Sequence, residues 1–464
     1  MKGFFTALTR HPLSLAGTAI ATSAAILFLT LFSLELAGFH GHPYVGILAY
    51  LVIPTIFVIG LVLIPIGLRR ARRRAAADQE FPVLDFNRSE MRNRFLIFLA
   101  LTVINIVIVA TATYKSVEVM DTVEFCGTAC HSVMEPEHTA FQRGAHASVR
   151  CVDCHIGPGA DWFVKSKLSG SWQLVSVALD LYPTPIPTPV HALRPARDTC
   201  EQCHWPQKFV GDRLRVITSH EDDEANSELK TVLLMRVGGL AGRESKGIHW
   251  HVDPANAIRY RSDEAREEIY EVELTRADGT VDKWLAPGAG EGEAATQGMW
   301  RSMDCVDCHN RPSHTFHPPE REVDRAIETG HVARDLPFAR REGLRLIKGD
   351  YADKDVARAA ILDGLKRFYA ESYPEVAAAR AADIEAAAAA LYEGWSSNVF
   401  PGMKVGWNTY PNQIGHEQSP GCFRCHDDLH ETADGRTISQ DCETCHSLLA
   451  MQESDPEILR TLSP

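Results

Sequence analysis

The stretch that decides the organisation of this chain is EFCGTACHSVMEPEHTAFQRGAHASVRCVDCHIGPGADWFVKSKLSG, residues 124–170. It begins where an apolar segment ends, and it contains two paired-cysteine motifs, each closed by a histidine. Spare histidines, a methionine and two lysines accompany these motifs. This composition is typical of a redox site at a membrane surface.

All 12 cysteines of the 464-residue chain fall into pairs of this kind. Five pairs are CxxCH, the signature of covalent haem c, in which two thioethers hold the porphyrin and the adjacent histidine ligates the iron. The first pair is CxxxCH, with one extra residue that must loop out. The sequence therefore predicts six haem c groups, at Cys126/Cys130/His131, Cys151/Cys154/His155, Cys200/Cys203/His204, Cys305/Cys308/His309, Cys422/Cys425/His426 and Cys442/Cys445/His446.

Two other uses of paired cysteines are less consistent with this pattern. Structural zinc needs two such knuckles for each metal ion and gives no reason for a histidine directly after every second cysteine. A disulfide between cysteines only three residues apart is strained and reactive.

Three apolar runs, at residues 13–39, 44–68 and 95–114, are each long enough to span a bilayer. The first is too long for a typical signal-peptide core and has no clear cleavage site, so we expect it to be retained. The arginines at 69, 70 and 72–74 predict, by the positive-inside rule, a cytoplasmic N-terminus and a haem region outside the cytoplasmic (inner) membrane. Lipid or nucleic-acid binding by this arginine run is the less favoured alternative.

Charge is divided unevenly along the chain, whose net charge is −13. Residues 1–118 carry +5 and the remainder carries −18. Nucleic-acid binding requires basic surface, so the acidic remainder excludes a nucleic-acid partner.

The predicted fold class is a mainly α and irregular multihaem cytochrome c with three N-terminal transmembrane helices and a small β-rich insert. Strands are expected at KTVLLMRVGG, AIRYR and a hairpin turning through residues 277–280, and helices from 320 to 395. The predicted segments are a transmembrane hairpin (1–74), a cytoplasmic connector (75–94), a third transmembrane helix (95–118), a three-haem core (119–210), the β-rich insert (211–300), a haem motif with helices (301–395) and a two-haem C-terminal segment (396–464).

Six irons need further histidines as distal ligands, and proximity to a motif selects His146, His314, His416 and His430. In His249-Trp250-His251 only one of the two rings is expected to reach a given iron, so His249 and His251 are alternatives for a fifth ligand. The remaining candidates are His138, His191, His220, His317 and His331, whereas His40 and His42 lie between the first two spans. Bis-histidine irons pass electrons and do not bind substrate.

The segments SVEVMDTVEFC, CHSVMEPE, GAHASVRCVDCHIGP and KSKLSG resemble the NapC/NirT/NrfH family of membrane-anchored multihaem quinol dehydrogenases, over about residues 95–206. With three N-terminal helices and the later segments PGCFRCHDDLH and ISQDCETCH, the whole chain looks similar to the ImcH type of inner-membrane cytochrome. The resemblance implies a menaquinol pocket beside the first haem.

Family members place a lysine after the second motif at that pocket, and Lys165 and Lys167 stand in the matching stretch. His146 matches the family histidine that ligates another haem. Some members ligate their first haem through a methionine two residues after the motif histidine, whereas Met134 is three residues after His131. The aspartate that some members carry after the lysine segment has no counterpart here.

The resulting hypothesis is a quinol dehydrogenase that takes electrons from the membrane menaquinol pool. Lys165 or Lys167 would bind a quinol oxygen, and Glu135, His138 or Asp161 would take protons. Electrons would pass to periplasmic cytochromes or a partner redox complex in anaerobic or extracellular respiration. The alternatives are a terminal reductase, for example of nitrite, with one open haem, and a passive electron conduit fed by a partner subunit.

Overall fold

The computed structural model describes residues 12–36, 49, 52–74, 86–129, 131–157, 160–190, 194–209, 211–238, 247–290 and 296–462. The chain forms two compact units. The first contains Met1–His131 and Arg150–Val152, and the second contains Ser132–Val149 and Asp153–Pro464.

The first unit contains three helices long and apolar enough to cross a membrane, as predicted: α1 (Pro12–Leu36), α2 (Ile53–Arg74) and α3 (Ser89–Met120). The third begins before the predicted residue 95, so part of the predicted connector is helical. His40, His42 and the first part of the connector lie outside the described residues.

Glycines set the close packing of α1 against α2. A Cβ atom on Gly17 would lie 2.8 Å from the carbonyl oxygen of Gly60, and one on Gly60 would lie 2.7 Å from the amide nitrogen of Ala21. Only glycine permits this approach, which is how small residues bring membrane helices together.

The short helix α4 (Val123–Thr128) carries the first cysteine of the first motif. Its N-terminus is capped by Thr122, whose hydroxyl accepts a hydrogen bond from the Phe125 amide at 3.1 Å. The next helices along the chain are α5 (His131–Gln142), α6 (Cys151–His155), α7 (Ala160–Ala178) and α8 (Ala196–Cys200).

The second unit contains two antiparallel sheets. One has the strand order β5-β4-β3-β6, built from β3 (Ala257–Ser262), β4 (Ile269–Thr275), β5 (Val281–Leu285) and β6 (Met299–Ser302). The predicted hairpin between β4 and β5 is confirmed, with Thr275 paired to Val281 across the turn.

The other sheet has the order β1-β2-β7 and consists of β1 (Arg213–His220), β2 (Glu228–Met235) and β7 (His446–Glu453). Its third strand therefore begins at the histidine of the last motif, far from the predicted β-rich stretch. β7 could not be predicted from its sequence, because its exposed residues include Leu448 and Met451, which break the alternation of polar and apolar positions. Ala450, opposite the buried Val232, is its inward contact.

Five helices occupy the region that the sequence predicts to be helical: α9 (Pro319–Glu328), α10 (Ala339–Ile347), α11 (Lys354–Ser372), α12 (Pro374–Ala379) and α13 (Ala381–Ser396). They enclose a core whose fully buried side chains include Leu336, Ile361, Tyr369 and Trp395. A last short helix, α14 (Glu457–Leu462), follows β7. Short 3-10 turns carry the later motifs, at Cys305–Asp307, Gly421–Arg424 and Cys442–Thr444.

Candidate metal centres

Histidines of four motifs in the second unit face a second histidine from elsewhere in the chain. In each pair the ring centroids are 5.7–6.1 Å apart. The pairs and their centroid separations are His155 with His314 (6.1 Å), His204 with His146 (5.9 Å), His426 with His251 (5.7 Å) and His446 with His416 (6.1 Å).

The histidine of the fourth motif, His309, has the imidazoles of His249 and His204 as electrostatic neighbours. His204 already faces His146, which leaves His249 as the facing ring for His309. Four of the five regular motifs thus face a second histidine ring directly, and the remaining one, at His309, has His249 as its electrostatic neighbour.

These pairs fit the geometry of a six-coordinate haem iron. Two imidazoles that bind one iron from opposite sides have ring centroids about 6 Å apart, since each metal–nitrogen bond is about 2 Å long. The Nε2 atoms of His251 and His426 are 3.5 Å apart, near the about 4 Å that two such bonds span.

Backbone carbonyl groups orient four of the facing histidines. Each donates its Nδ1–H to a carbonyl oxygen: His146 to Pro312 at 3.0 Å, His314 to Glu137 at 2.9 Å, His249 to Val237 at 3.0 Å and His251 to Ile248 at 2.8 Å. This hydrogen bond fixes the tautomer and leaves Nε2 unprotonated for a metal. Sequence reasoning did not identify the residues that supply these carbonyls.

Burial favours the neutral, metal-binding form of these rings. It lowers the pKa of His155, His251 and His309, and neighbouring imidazoles lower each of these pKa values further. Neutral imidazole is the form that ligates a metal.

His314 is held by a charged side chain as well as by a carbonyl. Its Nδ1 lies 3.2 Å from Oε2 of Glu137, and the Glu137 Oε1 accepts a hydrogen bond of 3.3 Å from the buried Arg311. The guanidinium of Arg311 lies 4.1 Å from the ring centroid of Tyr410. Glu137 was not selected from the sequence, where its only signal was its place in the CHSVMEPE segment.

The cysteines give the spatial order of the later motifs. Cys200 lies beside Cys305 and within electrostatic reach of Cys154. Cys308 is a neighbour of Cys422 and Cys425, and Cys445 is a neighbour of Cys422. Motifs two to six therefore follow one another in space in the same order as in the sequence.

Burial differs among the motif cysteines. Cys203, Cys154 and Cys442 are exposed, whereas the other cysteines that the structure describes are half-buried. The exposure of Cys203 has a local cause: α8 ends at Cys200, and the Cys203 amide donates a hydrogen bond of 3.1 Å to the Cys200 carbonyl oxygen in the following turn. A thioether cysteine has to present its sulfur to the porphyrin and not to the protein core, so Cys203 stays a predicted attachment residue.

His430 differs from the other histidines selected for their spacing. Its ring is buried, with Nδ1 3.0 Å from the carboxylate of Asp427 and Nε2 3.0 Å from the carbonyl oxygen of Ile269. Both ring nitrogens are engaged by the protein, and the geometry brings His430 to no motif histidine among the described residues.

Three lesser candidates have partners of other kinds. His220 is buried against Asp324, with Nδ1 3.2 Å from Oδ1. His331 lies on the surface beside Thr329, and the backbone amide of His317 donates a hydrogen bond to Asn398. His191 lies outside the described residues.

The residues predicted to serve quinol are distributed as follows. Lys165 and Lys167 lie on α7, and the Lys165 Nζ is 4.6 Å from the centroid of the Trp162 ring. Glu135 forms an ion pair of 2.6 Å with Lys354. His138 and Met134 lie on α5, where the Nε2 atoms of His138 and Gln142 are 3.3 Å apart. Cys130 and the side chains of His131 and Asp161 lie outside the described residues.

Within the described part of the chain, no group of three or more His, Cys, Asp or Glu side chains is arranged to hold a metal ion directly. A structural zinc site needs four such ligands. The facing imidazole pairs instead have the separation expected of two ligands on one haem iron.

Comparisons with known proteins agree with this chemistry. The model of the NapC/NirT cytochrome c family, N-terminal region, matches residues 88–185. The chain is also similar to the cytochrome c-type protein ImcH of Geobacter sulfurreducens, with 41% identity over 455 residues, which cover 96% of this chain and 90% of that protein. No solved structure matches the chain. The resemblance read from the motifs is confirmed.

Proposed function

The chain belongs to the NapC/NirT cytochrome c family, and from this membership we propose that it is a hexahaem cytochrome that oxidises menaquinol and relays the electrons to periplasmic acceptors. Membership of this family implies that the chain binds haem c covalently and acts as a membrane-anchored multihaem protein in electron transfer. The proposal adds the number of haems, the quinol and the direction of transfer.

The facing imidazole pairs are the observation that supports a role in electron relay. His314, His146 and His416 would ligate the irons held by the second, third and sixth motifs, opposite His155, His204 and His446. When bound, haem c supplies iron that cycles between the ferric and ferrous states and carries one electron at a time. Two histidine ligands close the iron to substrate, so these sites act as relays.

The protein's own part in quinol oxidation is to bind the quinol and remove its protons. Loss of two electrons from menaquinol releases two protons. We propose that Lys165 or Lys167 donates a hydrogen bond to a quinol oxygen, and that Glu135, His138 or Asp161 receives protons. His131, or Met134 in its neighbourhood, would complete the iron of the first motif.

The proposed orientation follows from the arginines that end α2. Arg69 and Arg70 lie in the last part of that helix, and three more arginines follow them. Under the positive-inside rule this end and the N-terminus are cytoplasmic, so α3 leads outward and the motifs lie on the periplasmic side of the inner membrane.

The test uses the full-length cytochrome in detergent with a water-soluble menaquinol analogue. The double substitution Lys165→Gln with Lys167→Gln should slow haem reduction about a hundredfold, the lower end of what one positioned group that donates or accepts a proton contributes. Lys366→Gln, which removes an exposed lysine of α11 paired with Glu385, is the matched control and should reduce at the normal rate. Normal reduction of the double variant would exclude both lysines.

The same preparation separates the rival functions. A terminal reductase would show a strong high-spin ferric EPR signal and turn over nitrite. A passive conduit would stay oxidised with the quinol analogue and become reduced only when a partner protein is added.

A further inference from the structure

The segment Ile248–Val252 is a single 3-10 turn with histidines at 249 and 251 and a tryptophan between them. In a 3-10 helix successive side chains turn by about 120°. Three consecutive side chains therefore point in three different directions. A strand would have aimed the two histidines differently, because residues 249 and 251 would then lie on the same face of a sheet, with Trp250 on the other face.

The turn is fixed at both ends. Gly247, at φ +86°, precedes it, and a Cβ atom there would collide with the carbonyl oxygen of Arg236. The amides of Ile248 and His249 donate to the carbonyl oxygens of Arg236 and Val237 at 2.8 and 3.1 Å. At the other end, the guanidinium of Arg197 donates to the Val252 carbonyl at 2.6 Å.

Trp250 anchors the centre of the turn. Its side chain packs against the apolar cluster of the β3–β4 sheet, which includes Ile258, Tyr260 and Val272. Its carbonyl oxygen accepts a hydrogen bond of 3.1 Å from the Asn256 amide group. The indole also contacts one of the two imidazoles, because its ring lies edge-on to that of His251 with the centroids 5.6 Å apart.

Those two imidazoles meet histidines of different motifs. His251 faces His426 of the fifth motif, and His249 is the neighbour of His309 in the fourth. Both histidines of the turn donate Nδ1–H to backbone carbonyls, so both present Nε2. Neither histidine blocks the other.

The attachment loops of these two motifs are themselves joined. Arg424, between Cys422 and Cys425, donates three hydrogen bonds to carbonyl oxygens: to Gly421 at 2.9 Å, to Arg266 at 2.6 Å and to Asp307 at 2.6 Å. Asp307 lies between Cys305 and Cys308, so one guanidinium ties the fifth motif to the fourth.

We propose that this one turn ligates two irons, His249 the iron of the fourth motif and His251 the iron of the fifth, with Trp250 as the residue that positions both. The inference rests on the proposed function for haem c at these motifs but is independent of the quinol. It replaces the expectation that the two histidines are alternatives, and it assigns a distal ligand to a second iron in place of His430.

Ferric EPR of the purified full-length protein tests the assignment by counting the haems that become high-spin in each variant. His249→Gly and His251→Gly should each convert one of the six haems to the high-spin state, and the double variant should convert two. Added imidazole should restore the low-spin signal by occupying the truncated site. If the histidines are alternatives for one iron, the double variant converts only one haem, which would overturn the proposal.

Positioning by Trp250 predicts a distinct result. Trp250→Ala should raise the high-spin signal of both haems together, whereas Trp250→Phe, which keeps an aromatic ring in the core, should retain low-spin haem. The surface substitution His331→Gly is the control and should convert none. A Trp250→Ala spectrum identical to wild type would remove Trp250 from the proposal, and failure of quinol reduction alone would leave the EPR counts untouched.

Discussion

Two regions of the second unit are held together in different ways. The five helices α9–α13 enclose side chains that are almost completely buried, among them Val323, Leu336 and Ile347. The segment between α13 and β7 has a small apolar cluster around Phe400 and Tyr410, and its remaining links are short turns, hydrogen bonds to carbonyls and facing imidazoles. The helices carry their own core, whereas we expect the C-terminal segment to be held together largely by the predicted thioether bonds and iron ligation.

The largest effect that would separate the two regions comes from removing a haem. Cys422→Ala with Cys425→Ala should reduce the haem c content by one and make residues 397–445 sensitive to protease. The α9–α13 region should remain a resistant fragment because its core contains no motif residue. Limited proteolysis with mass spectrometry checks this, and an unchanged cleavage pattern would show that the C-terminal segment coheres without its haem.

A substitution in the core of the helices should instead destabilise the helical region and leave the haems unchanged. Ile361→Ala on α11 removes a side chain that is 0% exposed, and should lower the free energy of unfolding by about 2–5 kcal/mol. Val356→Ala on the same helix truncates a side chain that is 48% exposed, and it should change the free energy of unfolding by less than about 0.5 kcal/mol. Denaturant unfolding followed by far-UV circular dichroism gives both values. The haem EPR spectrum of Ile361→Ala should stay low-spin, and a high-spin signal would show that the regions are not separate.

The smallest expected change in stability concerns the ion pair that links α9 to the loop after α5. Arg143 donates to both carboxylate oxygens of the buried Glu322, at 2.7 and 2.8 Å. Burial by itself raises the pKa of Glu322, but the charges of Arg143 and Arg325 outweigh it and hold the pKa below its ordinary value. Glu322→Gln should therefore cost about 1–3 kcal/mol at neutral pH.

The sign of the pH dependence follows from that lowered pKa. The stabilisation by Glu322 is present above the unfolded-state pKa, about 4.3, and is lost as the pH falls through the lower folded-state value. Unfolding measured from pH 7 down to pH 3 should show wild type losing stability faster than Glu322→Gln below about pH 4.3. If the free energy of unfolding falls with pH in parallel for the two proteins, Glu322 does not contribute to the loss of stability in acid. Glu385→Gln on α13, an exposed pair with Lys366, is the control.

The parts of this fold that follow a local rule could be predicted from sequence. The apolar runs predicted α1–α3, and the strong helix formers predicted α9–α13. The turn at 277–280 predicted the β4–β5 hairpin. The strand β7 follows no local rule, because its pairing with β2 is made by residues more than two hundred positions away.

The candidate ligands illustrate the same limit. Proximity to a motif selected His146, His314 and His416, which all face a motif histidine. It also selected His430, whose neighbour Asp427 holds its ring in place. Sequence spacing does not tell which ring nitrogen is already bonded, and it could not reveal that residues 248–252 turn as a 3-10 helix.

The position of β7 has a consequence for how the chain is made. The β1-β2 pair presents the unpaired backbone of β2 until His446–Glu453 arrives, and an open strand edge is a site for aberrant pairing. Because β7 starts at the histidine of the last motif, the sheet can close only after the final cysteine pair has been synthesised. A chain that ends before residue 446 would keep this edge of β2 unpaired, and we expect it to aggregate more readily than the full-length chain.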